Sequence, residues 1–340
     1  TAMSLLVVLQ LGLGVATWLV KYSWPTWVPQ LAWVQSFTVR ADSMTQALTV
    51  TAHVAVGSLI LGTALFFVYQ NWGIMHDQIN SDFNAQQLIL AHQAASEIDM
   101  DLEDIQVEIT ILKKLLAEAL ESARDEAMQS VLDRTRSKGL TEIGFANVEG
   151  EILAREPSID RAWPDATDFL EDCRWDEEGN MVLGPLRMDE QSTVTSILCS
   201  RMDSPEVEGS LLFARLDVSR LIASVTRSIR SGRTGYAWVI DENGVFLYHP
   251  DKEFIGQSAF AIREKRMPYV SFAQINHIMK ERMFRGEEGT GVYISGWHRG
   301  IEGQMTKLIA FTSVKTAALM PESIWSVAVV APIKEVAEPV

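Results

Sequence analysis

The chain has 340 residues, a formal net charge of −15 and 47% hydrophobic residues. That length exceeds one ordinary domain and fits two or three, and the acidic balance excludes nucleic acid as a partner, because no broad face could neutralise phosphates. Two cysteines, Cys173 and Cys199, are too few for a disulfide framework; they are either buried thiols or, in an oxidising compartment, one bridge.

Ala2 to Val20 carries no charge, and Ala47 to Tyr69 is a second uncharged stretch. Each reaches the roughly 20 residues that a helix needs to span hydrocarbon. Trp18, Tyr22, Trp24 and Trp27 flank the first, and Phe66, Phe67, Tyr69 and Trp72 close the second, as interfacial belts do. Residues 1–72 are therefore expected to form two transmembrane helices with membrane lipid as their surroundings. Without a basic n-region, a signal peptide is excluded. Lys21 and Arg40 lie between the spans, whereas acidic residues accumulate from Asp77 to Glu108 before the first basic one, Lys113. The positive-inside rule then makes the loop cytoplasmic and everything after about residue 73 extracytoplasmic, on the inner (plasma) membrane.

His53 falls inside the second span, where an imidazole needs a partner or a function. Gln10-Leu11-Gly12-Leu13-Gly14 together with His53-Val54-Ala55-Val56-Gly57-Ser58-Leu59 resembles the last helix pair of heme A synthases, over about residues 5–66. The resemblance implies His53 as an axial ligand and heme as a cofactor. Taken alone, a membrane histidine near a helix start is more often hydrogen-bonded or interfacial.

Between Gly73 and Gly139 there is neither Gly nor Pro. Leu88, Ala91, Ala95, Ile98, Leu102, Ile105, Ile109, Leu112, Leu116, Ala119 and Ala123 follow one another at alternating spacings of 3 and 4 residues. That pattern keeps one apolar seam on a helix, with Glu97, Asp101, Asp104, Glu108 and Glu118 facing away. Residues 73–138 are expected to form a long stalk helix. Its 88–123 seam would pack in a parallel homodimer or along the chain's own globular part.

Short strands and turns follow. Ile143 to Gly150 leads into Glu151-Ile152-Leu153-Ala154 as a hairpin, and Asn180 to Met188, Thr193 to Met202 and Glu208 to Leu216 read as strands. Asp217 is placed to cap a helix beginning Val218-Ser219. Farther on, Arg233 to Pro250 contains Asp241-Glu242-Asn243-Gly244 between two apolar runs, and Asn-Gly is a strong hairpin signal. Aligning Gly150 with Gly244 superposes Ile152-Leu153 on Phe246-Leu247, which indicates tandem modules over 139–228 and 229–340. The second continues with a helix from Ser271 to Phe284, a turn-rich break at Gly286 to Gly291, and strands at Val292 to Ile294, Lys307 to Val314 and Ile324 to Ala331.

The Arg233 to Pro250 text, with its trailing His249-Pro250 and Ile255-Gly256, resembles the membrane-proximal module of double Cache sensor domains of bacterial sensor histidine kinases and chemoreceptors. The resemblance covers about residues 75–336. It implies an α+β fold: two transmembrane helices, a long stalk helix, then two tandem PAS-like antiparallel-sheet modules. It also implies the ligand-sensing extracytoplasmic input region of a receptor such as a sensor histidine kinase, with the output domain beyond Val340. A small-molecule ligand would be its partner.

No phosphate loop, zinc-spaced Cys/His cluster or nucleophile elbow occurs, so no catalytic residue and no metal is expected. His249, His277 and His298 are scattered, and Arg299 belongs to a turn or a polar rim. Amine- and amino-acid-binding double Cache domains carry an Arg-x-Trp-Tyr motif and later acidic residues. Arg161-Ala162-Trp163 matches its first part, with Pro164 where the second aromatic belongs. Asp217 matches the late aspartate and Asp189 the middle one. The resemblance thus implies Arg161, Trp163, Asp189 and Asp217 as the ligand-binding set. Two other readings stand beside it: a heme-binding membrane protein centred on His53, and a dimerisation ectodomain that senses nothing.

Overall fold

A computed structural model of the chain describes residues 2–22, 43–118, 121–147, 149, 151–157, 172–175, 181–189, 192–202, 210–315, 319–320 and 323–337. These gather into two units, Thr1–Gln78 and Ile79–Val340.

In the first unit, helix α1 (Ala2–Tyr22) lies beside the start of helix α2 (Met44–Glu118). The pairing is antiparallel: a Cβ on Gly57 would lie 2.8 Å from Gln10 Nε2, and one on Gly14 3.3 Å from His53 Cε1. Glycine at these crossings lets the two backbones approach. Leu5, Leu11, Leu61, Leu65 and Phe66 point outward and are exposed. By length and composition α2 is long and apolar enough to cross a membrane; α1 holds a shorter apolar stretch, Ser4–Leu19. Arg40, half of the charge argument for orientation, lies outside the described residues.

The second unit is organised on the continuation of α2. Ile98, Leu102, Ile105, Ile109, Leu112 and Leu116 are each at most 1% exposed, as the 3.6-residue periodicity requires of an inward face. Their partners lie within the chain itself. These side chains share one core with Ile143, Leu198, Leu212 and Leu216 of a first sheet, with Val239, Leu247 and Val327 of a second, and with Trp325 just before its last strand. The expected dimer through the 88–123 seam is therefore corrected: from Ala91 to Leu116 that surface is consumed inside the chain.

The uninterrupted helix to residue 138 is corrected as well. Helix α3 (Glu121–Thr135) folds back along α2, with Arg134 Nη2 2.7 Å from Glu108 Oε2 and Lys138 Nζ 3.2 Å from Asp101 Oδ1. Continuing straight on would have left Met128, Val131 and Leu132 in solvent; reversal buries all three in the shared core. Ala123, read as a seam position, is exposed.

The first sheet is built from β1 (Leu140–Ala146), β2 (Ile152–Glu156), β5 (Arg187–Met188), β6 (Val194–Arg201) and β7 (Leu211–Asp217), in the order β2-β1-β7-β6-β5. A separate ribbon pairs β3 (Arg174–Trp175) with β4 (Met181–Val182). Helix α4 (Val218–Thr226) then leads to β8 (Tyr236–Ile240) and β9 (Phe246–Tyr248). Helices α5 (Ala259–Arg266) and α6 (Ala273–Glu281) precede β10 (Gly289–His298), β11 (Ile301–Ser313) and β12 (Ser326–Pro332). A short α7 (Lys334–Ala337) follows. The second sheet runs β10-β11-β12-β8-β9. Counted from the opening hairpin, both sheets place their strands 2-1-5-4-3. The sequence echo between Gly150 and Gly244 is thus a repeat of topology.

The stretch read as a break at Gly286 to Gly291 already belongs in part to β10, where Gly289, Thr290 and Gly291 pair with Phe311, Ala310 and Ile309. The sheet contacts overrode glycine's low strand propensity. Because the α2 seam closes both sheets, Ile105→Ala should destabilise the chain by about 2–5 kcal/mol, while Glu103→Ala on the exposed face should change it by less than about 0.5 kcal/mol. Denaturant unfolding in detergent measures both.

Candidate functional site

Alternation along β7 gives the first sheet two chemically different faces. Leu212, Ala214 and Leu216 enter the α2 core, whereas Leu211 and Phe213 join Ile197, Cys199 and Ala146 on the outer face. By the same period of two, Arg215 and Asp217 belong to that outer face. Glu142 stands opposite Arg215 and Gly144 opposite Arg155. A Cβ at Gly144 would come 2.6 Å from Phe213 Cζ, so glycine is what allows the aromatic ring to approach β1 this closely.

These pairings gather charge on a largely apolar surface. Arg155 Nη1 lies 3.6 Å from Glu142 Oε1, and Arg215 Nε lies 3.8 Å from Glu142 Oε2. The largely buried Glu142 carboxylate thus stands between two guanidiniums as an ion-paired centre. Asp172 Oδ1 accepts from Nε and Nη2 of Arg187 at 3.0 and 2.7 Å. The neighbouring Cys173 is bonded to Cys199 of β6, and the Arg201 guanidinium lies 4.8 Å from the centroid of the Trp175 ring. The bridge answers the question that composition left open, and it pins the chain after residue 171 to the outer face.

Of the four expected ligand-binding residues, the structure describes two. Arg161 and Trp163 lie outside the described residues. Asp189, next to the end of β5, organises its own turn: Oδ1 accepts from the Thr193 N–H at 2.9 Å. Asp217 ends β7 and caps α4, its Oδ1 accepting from the Arg220 N–H at 2.8 Å. Burial pushes the Asp217 carboxyl above the usual carboxylate range, and the charge of Asp189 pushes the same way. The two aspartates thus share one end of the sheet. Glu142, Arg155 and Arg215, on the same face, were missed by sequence reasoning. The available signal was a charged residue inside an otherwise apolar strand, as at Glu142 and Arg215.

Asp217 also borders a cleft of about 830 Å³ between α4 and the β8–β9 hairpin, lined as well by Arg220, Arg227, Tyr248, His249 and Arg299. Across this junction Ser219 Oγ donates to the Leu247 carbonyl and accepts from the Val194 N–H, both at 3.0 Å. The hairpin that dominated the sequence is held by an aspartate. Asp241 Oδ1 accepts from the N–H groups of Asn243 and Val245 at 3.0 and 2.7 Å, and only Gly244 adopts positive φ. In the first unit, His53 Nδ1 is buried without a hydrogen-bond partner, as is Gln10 Oε1.

Residues 73–340 match the family model of the Cache domain, of the double type. No curated protein matches the chain significantly. Among solved structures, the ligand-binding domain of the Pseudomonas aeruginosa PAO1 amino acid chemoreceptor PctB, in complex with L-Arg, is similar with a TM-score of 0.55 and 15% identity. The match covers 76% of this chain and 99% of that one. The ligand-binding domain of the Pseudomonas fluorescens chemoreceptor CtaA in complex with L-leucine gives 0.54 at 15% identity, over 77% and 100% of the two chains. The same domain with L-serine gives 0.53 at 15% identity, over 75% and 99%. At these identities the likeness is one of fold.

The double role of Asp217 separates two variants. Asp217→Ala removes the cap and should cost about 1 kcal/mol. Asp217→Asn keeps an acceptor and sheds a buried charge, so it should match or exceed wild-type stability near neutral pH. A raised folded-state pKa means that stability is lost as pH climbs from the unfolded value through the folded one. The advantage of the asparagine should therefore vanish on acidification, as thermal unfolding across pH will show.

Proposed function

This chain belongs to the double Cache domain family, and from that premise we propose that residues after about 73 form the extracytoplasmic ligand-sensing input region of a transmembrane receptor. The observation that carries the reading is the outer face of the first sheet, where Glu142, Arg155, Arg215 and Asp217 bring both signs of charge onto an apolar floor. A small zwitterion asks for this: a guanidinium for its carboxylate, a carboxylate for its amine, and apolar walls to desolvate the rest. Arg155 and Arg215 take the first role and Asp217, with Asp189 behind it, the second. Arg161 and Trp163 complete the set as the family motif implies. The ligand class is a small amine or amino acid.

The domain division follows the same reading: a membrane segment at 1–72 with α1 and α2 as two spans, a stalk at 73–138, a distal module at 139–228 and a membrane-proximal module at 229–340. Outward apolar side chains on both helices of the first unit favour lipid around them. The output is of the histidine-kinase or chemoreceptor type. Dimerisation, if the receptor uses it, falls to a different stripe of α2 from the one expected: Ile89, Met100, Val107, Ile111 and Leu115 are exposed, and helical spacing puts them opposite the buried seam. Ligand shifts such a two-state device only by its differential affinity for the two states.

A second reading concerns the first unit alone. The unpartnered Nδ1 of His53 favours a ligand role for that side chain, and heme is the cofactor that the helix-pair resemblance implies. A Soret absorbance band in the detergent-purified chain decides it; no band removes it.

The sensor reading is tested by thermal unfolding of the full chain in detergent against a panel of amino acids and amines. A ligand at 100 times its dissociation constant should add about 2.7 kcal/mol. Arg155→Ala and Asp217→Ala should each remove that gain without removing the fold. A response that survives both variants places the ligand elsewhere, and silence across the panel favours an ectodomain that senses nothing.

A further inference from the structure

The membrane-proximal module buries two cations around one cavity, with no carboxylate paired to either among the described residues. Lys307 on β11 is 1% exposed and Arg263 on α5 is 6% exposed. Arg263 Nη1 is held by Asn276 Oδ1 and Met279 Sδ, each at 3.0 Å. Lys307 Nζ donates to Tyr236 Oη at 3.3 Å and sits 5.3 Å from the centre of that ring. Neither cation forms an ion pair among the described residues. The nearby acids Asp251, Glu253 and Glu302 are taken by Arg266, at 3.5, 3.0 and 3.2 Å. Unpaired buried charge is among the costliest arrangements in a folded chain. A module that places two such charges around one cavity has a use for them.

The cations converge on a small cavity of about 20 Å³ that His249 and Tyr293 also line. His249 Nδ1 accepts from the Asp251 N–H at 2.9 Å. That bond leaves Nε2–H as the donor of the neutral ring. Burial and the charge of Lys307 hold His249 well below the usual imidazole range, so it is a neutral donor. The remaining walls are aromatic, with Trp238, Phe246, Phe272 and Trp297. A lining that combines charge-assisted donors with aromatic side chains suits an anion with a small apolar part, and the volume admits only the smallest.

We propose that this cavity is a second binding site, in the membrane-proximal module, for a short-chain monocarboxylate of formate or acetate size. Its carboxylate sits between Lys307 and Arg263, and its carbon end lies against the aromatic wall. The site is independent of the distal face: it is in the other sheet's core and uses none of the same residues. Geometry alone defines it, and titration adds a handle. Burial, with a contribution from Arg263, pushes Lys307 down to about 7. The groups facing it are Arg263, Tyr236, Tyr293, His249 and His298, none of them anionic near neutral pH. A bound carboxylate would hold the ammonium protonated, so affinity should fall about tenfold per pH unit above that value.

Thermal unfolding of the full chain in detergent, with sodium acetate against sodium chloride at equal ionic strength, tests the proposal. Near pH 6, saturating acetate should raise the Tm by about 5–10 °C, and the rise should shrink markedly above about pH 8. Lys307→Met, which removes the unpaired charge, should melt higher than wild type without acetate and should not respond to it. If Lys307→Met fails to fold, calorimetric titration of the wild type near about pH 8 replaces it, with uptake of about one proton per acetate bound as the expected result. An equal response to chloride, a response retained in Lys307→Met, binding without proton uptake, or no response to acetate at all would each overturn the assignment.

Discussion

The fold depends on a single stripe of side chains. Ile98, Leu102, Ile105, Ile109, Leu112 and Leu116 give α2 one apolar face, and two separate sheets close over it. Neither sheet presents that core to another layer on its own, because the inner residues of both meet the same helix. The constraint makes α2 a shared wall for the two modules. A change in either sheet's curvature must be met by the same row of packed side chains, since interiors at native density do not deform continuously.

The modules share topology and differ in charge. On the distal outer face three arginines have a carboxylate within reach, with Glu142 between Arg155 and Arg215 and Asp172 on Arg187. In the proximal core the partners of Lys307 and Arg263 among the described residues are hydroxyl, amide, sulfur and ring. On the proposed reading, one module takes a ligand of both signs and the other an anion. Between them Ser219 bonds both Val194 of the distal sheet and Leu247 of the proximal hairpin, so the joint is hydrogen-bonded as well as packed.

How much of this could be foreseen varies with how local the cause is. The β8–β9 hairpin was legible in Asn243-Gly244, because turn chemistry acts over a few residues, although Asp241 supplies the hydrogen bonds. The helical period of the seam was equally plain; what it packs against was not, since periodicity names a face and never its partner. The reversal between α2 and α3 has no glycine or proline to announce it, and its cause is the burial of Met128, Val131 and Leu132. Arg155 and Glu142 come together only through strand register. The Cys173–Cys199 bond likewise needed the fold, because their spacing is compatible with open thiols. Lys307, a lone charge opening the apolar run of Leu308 to Phe311, was visible and passed over.

The central claim is that α2 is one cooperative body with both sheets, and native-state hydrogen exchange of the full chain in detergent tests it most directly. The account predicts that amides of α2 from Ile98 to Leu116, of β7 and of β12 share one opening free energy, and that Ile105→Ala lowers all three together. Exchange in which α2 opens while both sheets stay protected, or in which Ile105→Ala loosens one sheet alone, would contradict it.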